Sequence, residues 1–125
     1  MAITTTGKSM LADAIIGGTT YNKLNSSNAH LGVGDSNTAF DAAQTDLQAS
    51  TNKLRKAMDE TYPSRSSNVV TFQASFDEED ANFAWNEWAL FNASSSGEMF
   101  SRKVSSLGTK TDSAAWVLQV TITFS

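Results

Sequence analysis

The chain has no cysteine, one proline (Pro63) and one histidine (His30). Without thiols there is no disulfide framework, no thiolate zinc site and no cysteine nucleophile, and a single imidazole excludes any site that needs two. Most enzyme chemistries drop out with them. Basic residues are scarce as well: nine Lys+Arg against thirteen Asp+Glu leave a net charge of −4 and no positive footprint for nucleic-acid phosphates. Apolar runs are short. None approaches the ~18 residues of a membrane span, and Met1-Ala-Ile-Thr-Thr-Thr-Gly-Lys8 lacks the hydrophobic stretch of a signal peptide. The expectation is a soluble chain with no cofactor, no nucleic acid and no membrane among its partners. Missing cysteine suits a reducing cytosol without establishing one.

What is present fits one domain. A chain of 125 residues has room for a single core and buries roughly two-thirds of its unfolded surface. Met10, Leu11, Ala14 and Ile15 repeat at i, i+1, i+4, i+5, which predicts a short helix over Lys8–Ile16. Thr4, Thr5, Thr6 and Ser9 offer N-caps, and Gly17-Gly18 ends it. A helix this short is marginal alone and must dock, either on its own sandwich or on a neighbour. Residues 19–28 are small and polar and read as a loop or arm.

Ala29 to Asp35 predicts a brief strand with a glycine turn at Gly32-Val33-Gly34-Asp35, and Ser36 to Thr45 a loop. Thr45 to Met58 is ambiguous, because its apolar positions fit a helical face and an edge strand equally well. Tyr62 to Asn68 reads as a turn. Beyond it the alternation is strict. Val70, Phe72, Ala74 and Phe76 share one face, and Trp116, Leu118, Val120, Ile122 and Phe124 share another. Between them, Asn82–Asn92 is apolar on both faces, as a central strand is. Glu98–Ser105 alternates weakly, and Thr109–Ser113 turns into the last strand. The fold class expected is mainly β: a single antiparallel β-sandwich-like domain over 29–125, with an N-terminal arm and one short helix over 1–28.

Few constellations carry chemistry. Thr6-Gly7-Lys8-Ser9 resembles the end of a phosphate-binding loop, but Ala2 stands where the first glycine belongs and no strand precedes it. Gly32-Val33-Gly34 lacks the rest of a dinucleotide fingerprint. Asp77-Glu78-Glu79-Asp80 gathers four carboxylates without the Asp-x-Asp-x-Asp-Gly spacing of a calcium loop, and reads as a solvated turn. No carboxylate spacing implies a glycosidase cleft. Glu87 lies in the most apolar strand and Arg102 in the next, so a buried cross-strand ion pair is expected in preference to a catalytic acid. His30 reads as a packing or hydrogen-bonding residue. Trp85, Trp88 and Trp116 could stack on sugars, but their strand positions favour the core, with Trp85 indispensable to it.

Particular segments then become recognisable: Leu31-Gly-Val-Gly-Asp-Ser-Asn-Thr-Ala-Phe40, Gln44-Thr-Asp-Leu47, Arg55-Lys-Ala-Met-Asp59, Tyr62-Pro63, Val70-Thr-Phe72, Ala81-Asn-Phe-Ala-Trp-Asn-Glu-Trp88, Leu90-Phe-Asn92, Arg102-Lys-Val104 and Leu107-Gly-Thr-Lys110. Together they resemble small virion structural proteins of tailed bacteriophages, over Ala29–Ser125. Their order is also similar to the N-terminal, particle-attaching domains of some phage tail fibres, in which a Gly-Asp loop, a Thr-x-Leu step and a Glu-x-x-Leu-Phe strand recur. Asn86-Glu87 stands here in place of the Arg-Glu of those domains. The resemblance implies a non-enzymatic role, supplies no active site, and favours a strand for Leu54–Met58.

It further implies a place in the virion, assembled in the host cytoplasm, with the major capsid protein or other virion proteins and further copies of the chain as partners. A fibre requires a shaft that these 125 residues do not contain, so a capsid cement or decoration protein is the expected role. A tail, baseplate or fibre adaptor comes next and a sugar-binding module last. Cement proteins gain strength from repetition, since weak contacts add across a shell. The arm is expected to reach over a neighbouring subunit, with Met10, Leu11, Ile15, Tyr21 and Leu24 as its contact residues.

Overall fold

Alternating apolar residues bury one face of a strand, and two such sheets cover each other. The computed structural model describes residues 2–125 and shows this arrangement: a mainly β, antiparallel, sandwich-like domain with one short helix. The elements are β1 (Ala2–Ile3), α1 (Thr5–Ile15), β2 (His30–Gly34), β3 (Lys53–Ala57), β4 (Ser64–Ser66), β5 (Val69–Phe76), β6 (Ala84–Phe91), β7 (Met99–Thr109) and β8 (Trp116–Thr123). One sheet has the order β1-β7-β6-β2-β3 and the other β4-β5-β8, with every pairing antiparallel.

The core between the sheets takes Leu31 and Val33 from β2, Phe72, Ala74 and Phe76 from β5, Trp85 and Leu90 from β6, Phe100 from β7, and Leu118 and Val120 from β8. Trp85 is 1% exposed and stands edge-on to Phe76 and Trp116, with ring centroids 4.8 and 5.0 Å away. Its indole N–H donates to the Ala81 carbonyl at 3.0 Å.

The β6–β7 pairing shifts between Trp85 and Glu87. Such an irregularity re-aims the side chains that follow it. Trp85 and Leu90 therefore both join the central core, while Ala89 and Phe91 pack with Leu47 and Met99 in a second cluster. That rephasing is why β6 is apolar on both parities.

Several expectations need correction. The helix begins at Thr5, three residues earlier than its apolar stripe indicates, because Thr4 caps it: the Thr4 hydroxyl accepts from the Gly7 N–H at 2.8 Å. Gly32 and Gly34 continue β2 and do not form a tight turn. A side chain at Gly32 would meet Phe91 and Leu47, and one at Gly34 would meet the Glu87 carboxylate. Residues 64–66, expected in a turn, form β4; all three are polar and exposed, so no apolar period marks them. β7 runs on to Thr109. The ambiguous stretch resolves as loop followed by strand at Lys53–Ala57.

Residues 2–28 do not stand apart as a loose arm. The Thr4 N–H donates to the Phe100 carbonyl at 3.0 Å, the Thr4 hydroxyl to the Met99 carbonyl at 2.6 Å, and Met10 enters the central core. The helix docks on its own sandwich. No helix among the described residues is long and apolar enough to cross a membrane.

Candidate functional site

Glu87 and Arg102 form the most buried charged pair in the fold, both side chains fully shielded from solvent. Antiparallel pairing sets Ala89 opposite Arg102 and Glu87 opposite Val104, so the two charged residues meet diagonally across β6 and β7. Arg102 Nε donates to Glu87 Oε1 at 2.8 Å. The same carboxylate accepts from the backbone N–H groups of Gln48 at 2.8 Å and Ala49 at 2.9 Å. Arg102 in turn donates to the Thr38 carbonyl at 2.9 Å and to Gln44 Oε1 at 3.1 Å. The pair fastens the long 35–52 loop to the outer face of the five-stranded sheet. These partners of both side chains lie within the fold, so the pair acts as a fastener between the sheet and the loop.

A second set of charges holds that loop from its far end. Burial works against the Asp46 carboxylate, yet the Lys53 hydrogen bond, the Leu47 N–H and the nearby Lys53 and Arg55 charges together hold its pKa below the ordinary value. Arg55 lies 3.5 Å over the Phe91 ring and donates to the carbonyls of Ala93 and Ser96.

Of the four carboxylates at 77–80, Asp80 turns toward the body of the protein, while Asp77, Glu78 and Glu79 are exposed. Lys56 Nζ lies 2.8 Å from Asp80 Oδ2. That hydrogen bond is the main reason the Asp80 pKa falls and the Lys56 pKa rises. The buried Lys110 ammonium donates to the Asp77 carbonyl at 2.6 Å and to Asn82 Oδ1 at 2.8 Å. Nothing in its polar surroundings, Thr109-Lys-Thr111, marks Lys110 as interior. Among the described residues, no group of three or more His, Cys, Asp or Glu converges as metal ligands would. His30 is half-buried, with Nδ1 2.8 Å from the Asn28 carbonyl. Trp88 and Trp116 are half-buried and pack against the core, as their strand positions lead one to expect.

The five residues expected to meet a partner separate into two groups. Met10 is 6% exposed and sits in the core. Leu11, Tyr21 and Leu24 are half-buried against that core and, with Met10, line a pocket of about 220 Å³ closed by Phe72, Phe100 and Ile122. The 19–24 loop is folded under the helix through Asp13, whose carboxylate accepts from the Tyr21 N–H at 3.4 Å and lies 3.9 Å from Lys23 Nζ.

Ile15 alone of the five projects into solvent, at 85% exposure, and the next residue, Ile16, is 82% exposed. The apolar period placed Ile15 on the helix's apolar stripe, among the expected contact residues, and passed over Ile16. The helix end explains the outcome. Gly18 N–H donates to the Asp13 carbonyl at 2.8 Å and Gly17 N–H to Ala14 at 3.1 Å, with Gly17 at φ +67°. This six-to-one, five-to-two closure stops the helix and leaves two isoleucines exposed at its end. No protein-family model, curated protein or solved structure matches the chain.

Proposed function

We propose that the chain is a non-enzymatic structural protein of a tailed-phage virion, of the capsid cement or decoration type, which binds over the joints between capsid subunits. The observation that carries this reading is the Ile15–Ile16 pair. Two large aliphatic side chains stand in water on a helix whose other end is bonded to β7. Covering each would be worth ~1.5–3 kcal/mol, and a pre-ordered helix loses little entropy on docking. A symmetric shell multiplies that modest contact.

The buried charges support the same reading. Glu87, Arg102 and Lys110 all bond within the fold, fixing loops in place. The pocket beneath α1 is lined mainly by apolar side chains, among them Met10, Leu11, Leu24, Phe72 and Phe100. The helix docks on its own sandwich, so the contact with the capsid passes through its exposed end instead of an extended arm.

The test is incorporation into particles. Ile15→Glu/Ile16→Glu is expected to keep the wild-type melting temperature and to lose at least most of its copies per particle, measured by gel densitometry of purified virions. Full incorporation of the folded double variant would contradict the assignment of this contact. Electron microscopy of the same particles distinguishes the shell from a tail or baseplate position.

A further inference from the structure

A sheet edge offers a row of N–H and C=O groups to any strand able to pair with it, and folded proteins blunt such edges with charge, proline, bulges or brevity. Three of the four edges here are blunted. β1 is two residues long, β4 is three, and β3 carries Lys53, Arg55 and Lys56 among its five. The part of β7 that runs beyond β1 carries Lys103 and the register shift.

The fourth edge has none of these devices. β8 keeps unbroken register with β5 over eight residues and has no strand on its other side. It contains no proline, and residues 113–125 include no ionisable side chain. Val117 is 58% exposed, and Gln119, Thr121 and Thr123 are exposed with it. A groove of about 240 Å³ lies between Thr121–Phe124 and the Ile3–Ser101 side of the other sheet, so the second layer leaves this edge open.

We propose that the outer edge of β8 pairs antiparallel with β8 of a second copy of this chain, joining two three-stranded sheets into one of six strands. Complementarity under a two-fold axis selects a second copy as the occupant. Opposite residues of an antiparallel pair share a face. With Val120 on the axis, Leu118 meets Ile122 on the core side while Gln119 meets Thr121 and Val117 meets Thr123 outside. With Gln119 on the axis, Leu118 meets Val120 and Val117 meets Thr121. Both registers keep apolar beside apolar on the core side.

Charge points the same way. Each copy carries a net charge of −4, and this uncharged segment is where two copies can approach without setting like charges opposite each other. A two-fold pair is closed, so it uses up both open edges and does not grow into a fibre. The inference is independent of the virion assignment.

Sedimentation equilibrium of the full chain tests it. The wild type is expected to dimerise to twice its 13.4 kDa with rising concentration. Gln119→Lys/Thr121→Lys, which sets lysines opposite each other on the exposed face, is expected to remain monomeric with unchanged circular dichroism. Because the chain has no cysteine, Gln119→Cys/Thr121→Cys under oxidation is expected to give a covalent dimer in either register. This second readout decides the matter if the lysine variant misfolds. A wild type that stays monomeric to millimolar concentration would overturn the proposal. So would open-ended association, or a dimer that resists the lysines and fails to cross-link.

Discussion

At the scale of single residues, Arg102 and Glu87 illustrate how a buried charge is tolerated. Each has its partner and, beyond it, loop groups that absorb its remaining bonding capacity. Arg102→Met strands the carboxylate in a dry site and is expected to cost ~3–5 kcal/mol in urea denaturation. Replacing both residues by Met is expected to recover only part of that loss, since the Gln48 and Ala49 N–H groups then lose their acceptor. Full recovery would show that the loop amides contribute nothing. Trp85 holds the centre of the core by shape and by its bond to Ala81. Trp85→Ala is expected to lose ~3–5 kcal/mol, a large share of the ~5–15 kcal/mol available to a domain. A thermal midpoint within a few degrees of wild type would contradict that placement.

At the scale of elements, α1 depends on close contact at its first turn. A Cβ at Gly7 would lie 2.1 Å from the Phe100 carbonyl oxygen, so this glycine serves helix-to-strand approach and not phosphate binding. Gly7→Ala is expected to lift the helix and destabilise the fold by ~1–3 kcal/mol, with faster hydrogen exchange over 5–15. Unchanged exchange would refute the contact.

The acidic turn responds to pH through Asp80 and Lys56. The Asp80 pKa is depressed, so its contribution is complete above the ordinary 3.8 and is lost as pH falls through the lower folded value. The Lys56 pKa is raised, so its contribution is complete below the ordinary 10.5 and is lost as pH rises through the higher folded value. Lys56→Met is expected to flatten both arms of a melting temperature against pH profile. A profile identical to wild type would contradict the pairing.

What could be read in advance follows from the same physics. β5 and β8 announced themselves because burial imposes a period on their side chains, β6 because both its faces are apolar, and the Glu87–Arg102 pair because an apolar strand cannot hold a lone charge. β4 was silent because exposed Ser-Arg-Ser carries no period. Gly32 and Gly34 misled because a glycine required by a neighbouring side chain looks the same in sequence as one required by a turn. The exposed Ile15–Ile16 stub was only half legible, since where a helix leaves the sheet it rests on is a matter of tertiary geometry.

At the scale of the whole molecule, the account rests on a rigid body built for contact. Both sheets share one core, the 35–52 loop and the 77–80 turn are held by internal charges, and the exposed surface includes the aliphatic Ile15–Ile16 pair and the uncharged outer edge of β8. Such features suit the proposed assembly with other protein subunits. The most direct measurement of the proposed role is mass spectrometry of density-purified virions of the phage proposed to encode this chain, with the chain quantified against the major capsid protein. The account predicts a fixed stoichiometric ratio to the capsid protein that survives salt washing. Virions of full infectivity that contain no copy of the chain would contradict it.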